Sequence, residues 1–204
     1  MDARIVRSRE ALIQAMDDAL RDGDSKLPSI TELCAAAGMS RPTFYQHFRD
    51  VPALVATAGV DELQKHFGGV VDGLSIGDDW EQAAPSVIRD LISRLFGEGD
   101  YFRRVLEASD THAFQGSVVD YLTERLLTFT PLGAAVRGGA DPVHLARAAT
   151  FIAAGVTWLV VEWIKQGAER PSVEAAADEV SQLLITSIAA QARVDLTELA
   201  EGVR

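Results

Sequence analysis

Apolar residues return every three or four positions along nearly the whole chain, and no strand-like alternation of any length interrupts them. A stripe with that spacing can be buried only on a helix, so the expected class is all-α. The first helix runs from about Arg4 to Arg21, with Leu12, Ala15, Met16, Ala19 and Leu20 on its buried face, and Asp22-Gly23-Asp24 ends it. Longer helices are expected near Val51 to Val71, Trp80 to Phe96, Thr111 to Thr128, Pro142 to Gln166 and Ser172 to Gln191, with a short one from Tyr101 to Glu107. Gly and Pro mark most of the gaps, and no internal repeat is present.

Between the first helix and Val51 the signals crowd together. Ser29-Ile30-Thr31-Glu32 is a capping box, in which the serine hydroxyl and the glutamate three positions on satisfy each other's backbone donors. Ile30, Leu33, Cys34 and Ala37 share one face of the helix that follows, Gly38 supplies a left-handed residue to close it, and Ser40 caps another helix at once. That helix is short, Arg41 to about His47, with Phe44 and Phe48 at i, i+4 fixing its buried side.

Two helices joined by Gly38-Met39-Ser40 make a helix-turn-helix, whose second helix fits the major groove of DNA while the first holds its angle. With Phe44 inward, Pro42 and Gln46 lie opposite the core, and Thr43 and Tyr45 lie on the flanks. Gln46 carries the donor and acceptor pair that matches adenine, Pro42 can touch a thymine methyl, and Arg41 can reach guanine or phosphate. Thr43, Tyr45 and the helix ends at Ser29 and Ser40 suit phosphates, and His47 completes the candidate set. A bare three-helix unit serving protein contacts stays open as the alternative, because residues 1–50 carry seven Lys/Arg against eight Asp/Glu.

The stretch from Ser29 to Phe48, ending in Thr43-Phe44-Tyr45 and His47-Phe48, resembles the signature of the TetR family of transcriptional regulators, and the pattern continues into Ala53-Leu54. The match covers about residues 8–55; beyond it only helix number and length agree. Three positions depart from the family pattern. Pro42 stands where Gly or Ala is usual, which a first helical turn tolerates. Val51 stands where a phosphate-touching lysine is common, with Arg49 near enough to substitute, and Asp22 to Pro28 replaces a glycine-aromatic turn. The resemblance implies a helix-turn-helix DNA-binding domain over residues 1–50 and a larger helical ligand-binding and dimerisation domain over 51–204. It also implies a homodimer on palindromic double-stranded operator DNA, released by a small apolar effector. Activation in place of repression stays open.

The second half agrees with that division. Pro142 to Gln166 carries one seam of Leu145, Ala149, Ile152, Val156, Leu159 and Trp163, and another, shifted by one residue, of Ala146, Thr150, Ala153, Thr157, Val160 and Ile164. A helix apolar on two faces is buried on two, one against its own domain and the other expected against a second subunit. The last helix adds Ala176, Ala177, Val180, Leu183, Leu184 and Ile188. Trp80, Phe96, Phe102, Phe114, Tyr121, Phe129, Phe151 and Trp158 are candidates to line an effector cavity, although each one alone is more often plain core. Glu162, Asp110 and His112 are candidate polar anchors, although isolated polar groups near a core more often find local partners or solvent.

Net charge is −11, with Lys+Arg 19 against Asp+Glu 30, which argues against DNA binding by the whole surface. Nearly all of the acidic excess falls in residues 51–204. An enzyme is not expected: the chain has no nucleophile elbow, phosphate loop or HExxH, and His47, His66, His112 and His144 are too scattered to hold a metal. No cofactor is implied. A lone Cys34 excludes an internal disulfide and fits a reducing cytoplasm. The first residues lack a signal-peptide core, and Ala148 to Val161 is shorter than a membrane span and reads as a buried helix. Arg far outnumbers Lys and Asn is absent, a skew that points to a GC-rich bacterial genome.

Overall fold

Every regular element among the described residues, 3–23, 26–71, 80–137 and 141–202 of a computed structural model, is helical. In order they are α1 (Ala3–Asp22), α2 (Ile30–Ala36), α3 (Arg41–His47), α4 (Val51–Val71), α5 (Trp80–Gly97), α6 (Gly99–Ala108), α7 (Thr111–Phe129), α8 (Pro131–Arg137), α9 (Pro142–Lys165) and α10 (Val173–Gly202). A 3-10 turn at Gly167–Glu169 joins the last two. The class is all-α, as the apolar spacing leads one to expect.

Two elements differ from the sequence reading. Pro131 and Gly133 resemble loop residues, so the sequence offers a gap where α8 stands. Proline is favoured in a first helical turn, however, and here the hydroxyl of Thr130 donates to the Leu126 carbonyl at 2.6 Å and accepts from the Leu132 amide at 3.3 Å, stitching α7 to α8. α10 continues past Gln191 to Gly202.

The chain forms two compact units, one of residues 1–64 and 98–115 and another of 65–97 and 116–204. The chain passes between the two units within α4 and again within α7. The first unit buries Leu12, Ile13, Met16 and Leu20 of α1, Leu33 and Cys34 of α2, Phe44, Phe48, and Leu54, Val55 and Ala58 of α4. Gly59 brings α4 close to α6 and α7: a Cβ there would stand 2.7 Å from Val105 Cγ1 and 2.9 Å from Phe114 Cε2.

The second unit has its core where α7, α8, α9 and α10 meet, in Leu126, Leu132, Leu145, Ala149, Ile152, Ala153 and Ile188. Beside it Phe96 stacks on Trp163 with centroids 4.0 Å apart, the indole N–H donates to the Pro171 carbonyl at 3.1 Å, and Arg170 covers the ring at 4.4 Å. α9 is long and apolar enough, by length and composition alone, to cross a membrane. Its buried side belongs to the core just described, and it is not buried all round as the run from Ala148 to Val161 suggests. Phe151 is 80% exposed, Trp158 60% and Leu159 38%, with Ala154 and Gly155 exposed between them.

Candidate nucleic-acid interface

The helix-turn-helix is built from short-range chemistry. Ser29 Oγ accepts from the Glu32 amide at 3.3 Å while Glu32 Oε2 accepts from the Ser29 amide at 2.7 Å, completing the capping box that starts α2. Those bonds favour the ionised carboxylate, so Glu32 sits below the usual glutamate range. Gly38, at φ +66, turns the chain in a conformation that a side chain would strain. Ser40 then caps α3 by accepting from the Thr43 amide at 3.4 Å, its hydroxyl also bonded to that of Thr43 at 2.9 Å, and Pro42 fits the first turn, where no helical partner for its nitrogen exists.

On α3 the buried Phe44 sets the orientation; Pro42 and Gln46 are exposed opposite it, and Arg41 and Tyr45 are exposed beside them. Tyr45 stands edge-on to Phe44, with centroids 5.5 Å apart and 86° between planes, and remains 52% exposed. A tyrosine ring that leaves half its surface in water beside a guanidinium and a primary amide makes a polar face with no role in the core. Thr43 and His47 are half-buried. At the far end of α3, Asp50 caps α4 by accepting from the Ala53 amide at 2.8 Å and pairs with Arg49 at 3.1 Å.

Two features of this unit have no local signature in the sequence. His47 Nε2 lies 2.7 Å from Ser8 Oγ on α1, a contact between residues 39 positions apart. The other is an ionic hub on Arg21. Its Nη2 reaches Glu62 at 2.6 Å, Nε reaches Asp17 at 3.2 Å, Nη1 reaches Glu98 at 3.3 Å, and the guanidinium lies 5.0 Å from the Tyr101 ring centroid. Burial alone pulls the Arg21 pKa down, and the bonds to Glu62 and Asp17 more than reverse it, leaving the group firmly charged. Tyr101 is pushed well above the usual phenol range by burial and then by the nearby Asp17 carboxylate. A helical wheel places Asp17 one step from the apolar stripe, which is the sole trace of its burial in the sequence.

The residues read as an effector cavity are dispersed. Phe102 and Phe114 are buried in the first unit. Phe96 is buried in the second, where Tyr121 is half-buried and edge-on to Phe67 at 5.4 Å, and burial raises the Tyr121 pKa. Arg125 spans Tyr121 and Phe129 at 5.2 and 5.3 Å. The Trp80 side chain lies outside the described residues. Phe151 and Trp158 turn away from the core on the open side of α9, so a cavity among the helices of the unit is not where they are found. Glu162 pairs with Lys165 at 3.3 Å, Asp110 caps α7 through the Ala113 amide at 3.2 Å, and His112 is exposed. Among the described residues no group of three or more His, Cys, Asp or Glu is placed to hold a metal ion.

No protein-family model and no curated protein sequence matches the chain. Its structural neighbours are TetR-family and related transcriptional regulators. The dihydroxyacetone kinase operon activator DhaS superposes with a TM-score of 0.51 at 16% identity, over 89% of this chain and 96% of its own. The fatty acid degradation regulator FadR from Bacillus halodurans gives 0.49 at 13% identity, over 90% of this chain and 95% of its own. A protein described as a TetR-family transcriptional regulator from Mesorhizobium loti MAFF303099 gives 0.46 at 18% identity, over 93% of this chain and 98% of its own. At such identities the likeness is one of fold, and it is the DhaS superposition that carries it.

Proposed function

We propose that this chain is a DNA-binding transcriptional regulator that acts as a homodimer. The observation that carries the reading is the exposed surface of α3, with Pro42 and Gln46 opposite the buried Phe44 that locks the helix and Arg41 and Tyr45 exposed beside them. Gln46 reads adenine, Pro42 meets a thymine methyl and Arg41 takes guanine or phosphate, while Tyr45, Thr43, Ser40 and Ser29 hold the backbone. Residues 1–50 form the reading domain in this proposal and 51–204 the sensing and dimerising one.

A seven-residue helix touches too few base edges for a specific site by itself, so two copies on a palindrome double the contacts. The exposed stripe of Phe151, Ala154, Trp158 and Leu159, with Leu183 of α10 also 48% exposed, supports a second copy as the partner of the last two helices. Phe151 and Trp158 thereby move from the effector cavity to the subunit interface.

In the mechanism, the free dimer holds its reading helices near the ~34 Å spacing of successive major grooves, and a small apolar effector bound within 51–204 shifts that spacing and releases the operator. DNA and effector must then weaken each other reciprocally. No membrane takes part, and the protein works in the cytoplasm. The deciding experiment is selection of bound duplexes from a random DNA library by the purified chain at near-physiological salt. Enrichment of a two-half-site palindrome supports the reading; absence of enrichment returns the module to protein contacts.

A further inference from the structure

His47 stands at the end of the reading helix, yet its ring is committed elsewhere. Nε2 lies 2.7 Å from Ser8 Oγ, and the same oxygen lies 3.0 Å from the carbonyl of Ile5. A serine hydroxyl has one proton. With that proton donated to the Ile5 carbonyl, Ser8 Oγ accepts from the Nε2–H tautomer of His47; with the proton turned to the ring, Oγ donates to Nε2 of the other tautomer, and in both the two side chains are bonded. The result is a bonded link from His47 Nε2 to Ser8 Oγ, running from α3 into the first turns of α1. Beside it Arg9 lies 5.6 Å from the centroid of the Phe48 ring, so the two helices touch through both residues of the His47-Phe48 pair.

We infer that His47 is a positioning residue: through Ser8 it braces α1 against α3, so that the cationic first turns of α1 meet the phosphate backbone in register with the reading helix. Arg4 lies one helical turn before Ser8 on the same side, Arg7 is its chain neighbour, and both are exposed. A brace at Ser8 therefore sets where two guanidinium groups lie relative to Gln46 and Tyr45. Without it the start of α1 is less firmly placed, and cations that must find phosphates from a loose helix end give up part of their attraction to ordering. This assignment rests on the DNA-binding reading and gives His47, a candidate DNA-binding residue in it, the part of placing others.

The test measures binding of wild type, Ser8→Ala, His47→Ala, His47→Gln and the Ser8→Ala/His47→Ala double variant to the enriched duplex over a range of salt. A brace predicts two- to tenfold weaker binding for each alanine variant, about the effect of one hydrogen bond. It also predicts a salt dependence shallower by roughly 0.9 for each phosphate that the displaced arginines cease to neutralise. The double variant is no weaker than the worse single one, and His47→Gln, which keeps an N–H near the same place, recovers part of the affinity. A lower melting temperature with the salt slope unchanged would show a purely structural role and overturn the assignment. If wild type binds no duplex, the DNA-binding reading falls and takes the brace with it; if wild type binds and Ser8→Ala matches it in affinity and slope, the brace alone falls. Nitrogen-15 spectra of the free protein add a reading without DNA. They should show the His47 Nε2 signal moved by Ser8→Ala; an Nε2 signal that Ser8→Ala leaves unmoved contradicts the bond.

Discussion

Arg21 Nη2 on α1 stands 2.6 Å from Glu62 Oε1 on α4, and the same guanidinium holds Asp17 and Glu98, so one cation bridges α1 to α4. Asp17 and Glu62 have side chains only 6% and 8% exposed. Removing the cation strands two carboxylates in a poorly solvated place, and a fully buried pair broken this way costs roughly 3–5 kcal/mol. Arg21 itself keeps 39% exposure, which admits water to the site, so Arg21→Met should cost less, about 2 kcal/mol. Urea unfolding checks it; a destabilisation below about 0.5 kcal/mol would mean that solvent already screens the hub.

The hub also gives the chain a dependence on alkaline pH. Burial and the Asp17 carboxylate raise the folded-state pKa of Tyr101, so its phenol ionises first in the unfolded chain, near pH ~10. A group with a raised folded pKa contributes stability below its unfolded value and loses it as pH climbs beyond. Spectroscopic titration of the native protein should leave Tyr101 neutral well past pH ~10, and Tyr101→Phe should remove the most resistant part of the tyrosine signal, leaving the smaller upward shift of Tyr121. Glu32 works in the opposite sense. The Ser29 bonds lower its folded pKa, so the contribution is present above about pH 4.3 and fades as pH falls through the folded value. Acid unfolding of Glu32→Gln should accordingly be less steep than that of wild type.

Gly59 is required by closeness. Its φ is not left-handed, but an added methyl would meet Val105 Cγ1 at 2.7 Å and Phe114 Cε2 at 2.9 Å, a branched side chain and a ring with no room to retreat. Gly59→Ala should destabilise by about 1–3 kcal/mol, the usual range for overpacking. Combining it with Val105→Ala should recover part of that stability, which a thermal melt of the two single variants and the double would show. Strict additivity would argue that the two positions do not touch.

On α3 the exposed side chains should separate into readers and holders. Gln46→Ala is expected to relax preference at one base position by about 1–3 kcal/mol, leaving the other positions as they were. Tyr45→Ala should weaken binding across sequences with the preferred motif unchanged. Repeating the library selection with each variant decides it, and an unaltered Gln46→Ala motif takes that residue out of the reading set.

The helix-turn-helix is legible in the sequence because its signals are local. A capping box, a Gly at the turn, a serine cap and two phenylalanines four apart all lie within Ser29–Phe48, and each names its partner by sequence distance. What the sequence hides is non-local or degenerate. Ser8 and His47 meet across 39 positions, and nothing in a serine on a helix announces that partner. Thr130 and Pro131 read as a break because a cap and a proline at a helix start look like a loop when neither neighbour is known. α9 is apolar nearly all round, so spacing cannot say which stripe faces inward. Ala153, Thr157 and Ile164 of the shifted seam are buried within their own unit, and the open stripe runs through Phe151 and Trp158 instead. Aromatic type alone places those two in a cavity, and it carries no information on direction.

That open stripe yields the most direct test of assembly. Phe151 at 80% and Trp158 at 60% exposure lie seven residues apart on one side of α9, with small Ala154 and Gly155 exposed between them to let another helix approach. Large apolar side chains left this open in a single chain are the pattern of a surface covered by a partner. Since neither side chain fills the core, Trp158→Arg should leave the helical spectrum unchanged and lower the mass measured by sedimentation from two chains to one. Operator affinity should then fall steeply, because one reading helix forgoes the second half-site, while a single half-site duplex is bound about as well as by wild type. A Trp158→Arg chain that still sediments as a dimer places the subunit interface elsewhere. Wild type sedimenting as a monomer that binds lipid vesicles would instead assign the stripe to a membrane surface, which α9 has the length and composition to meet.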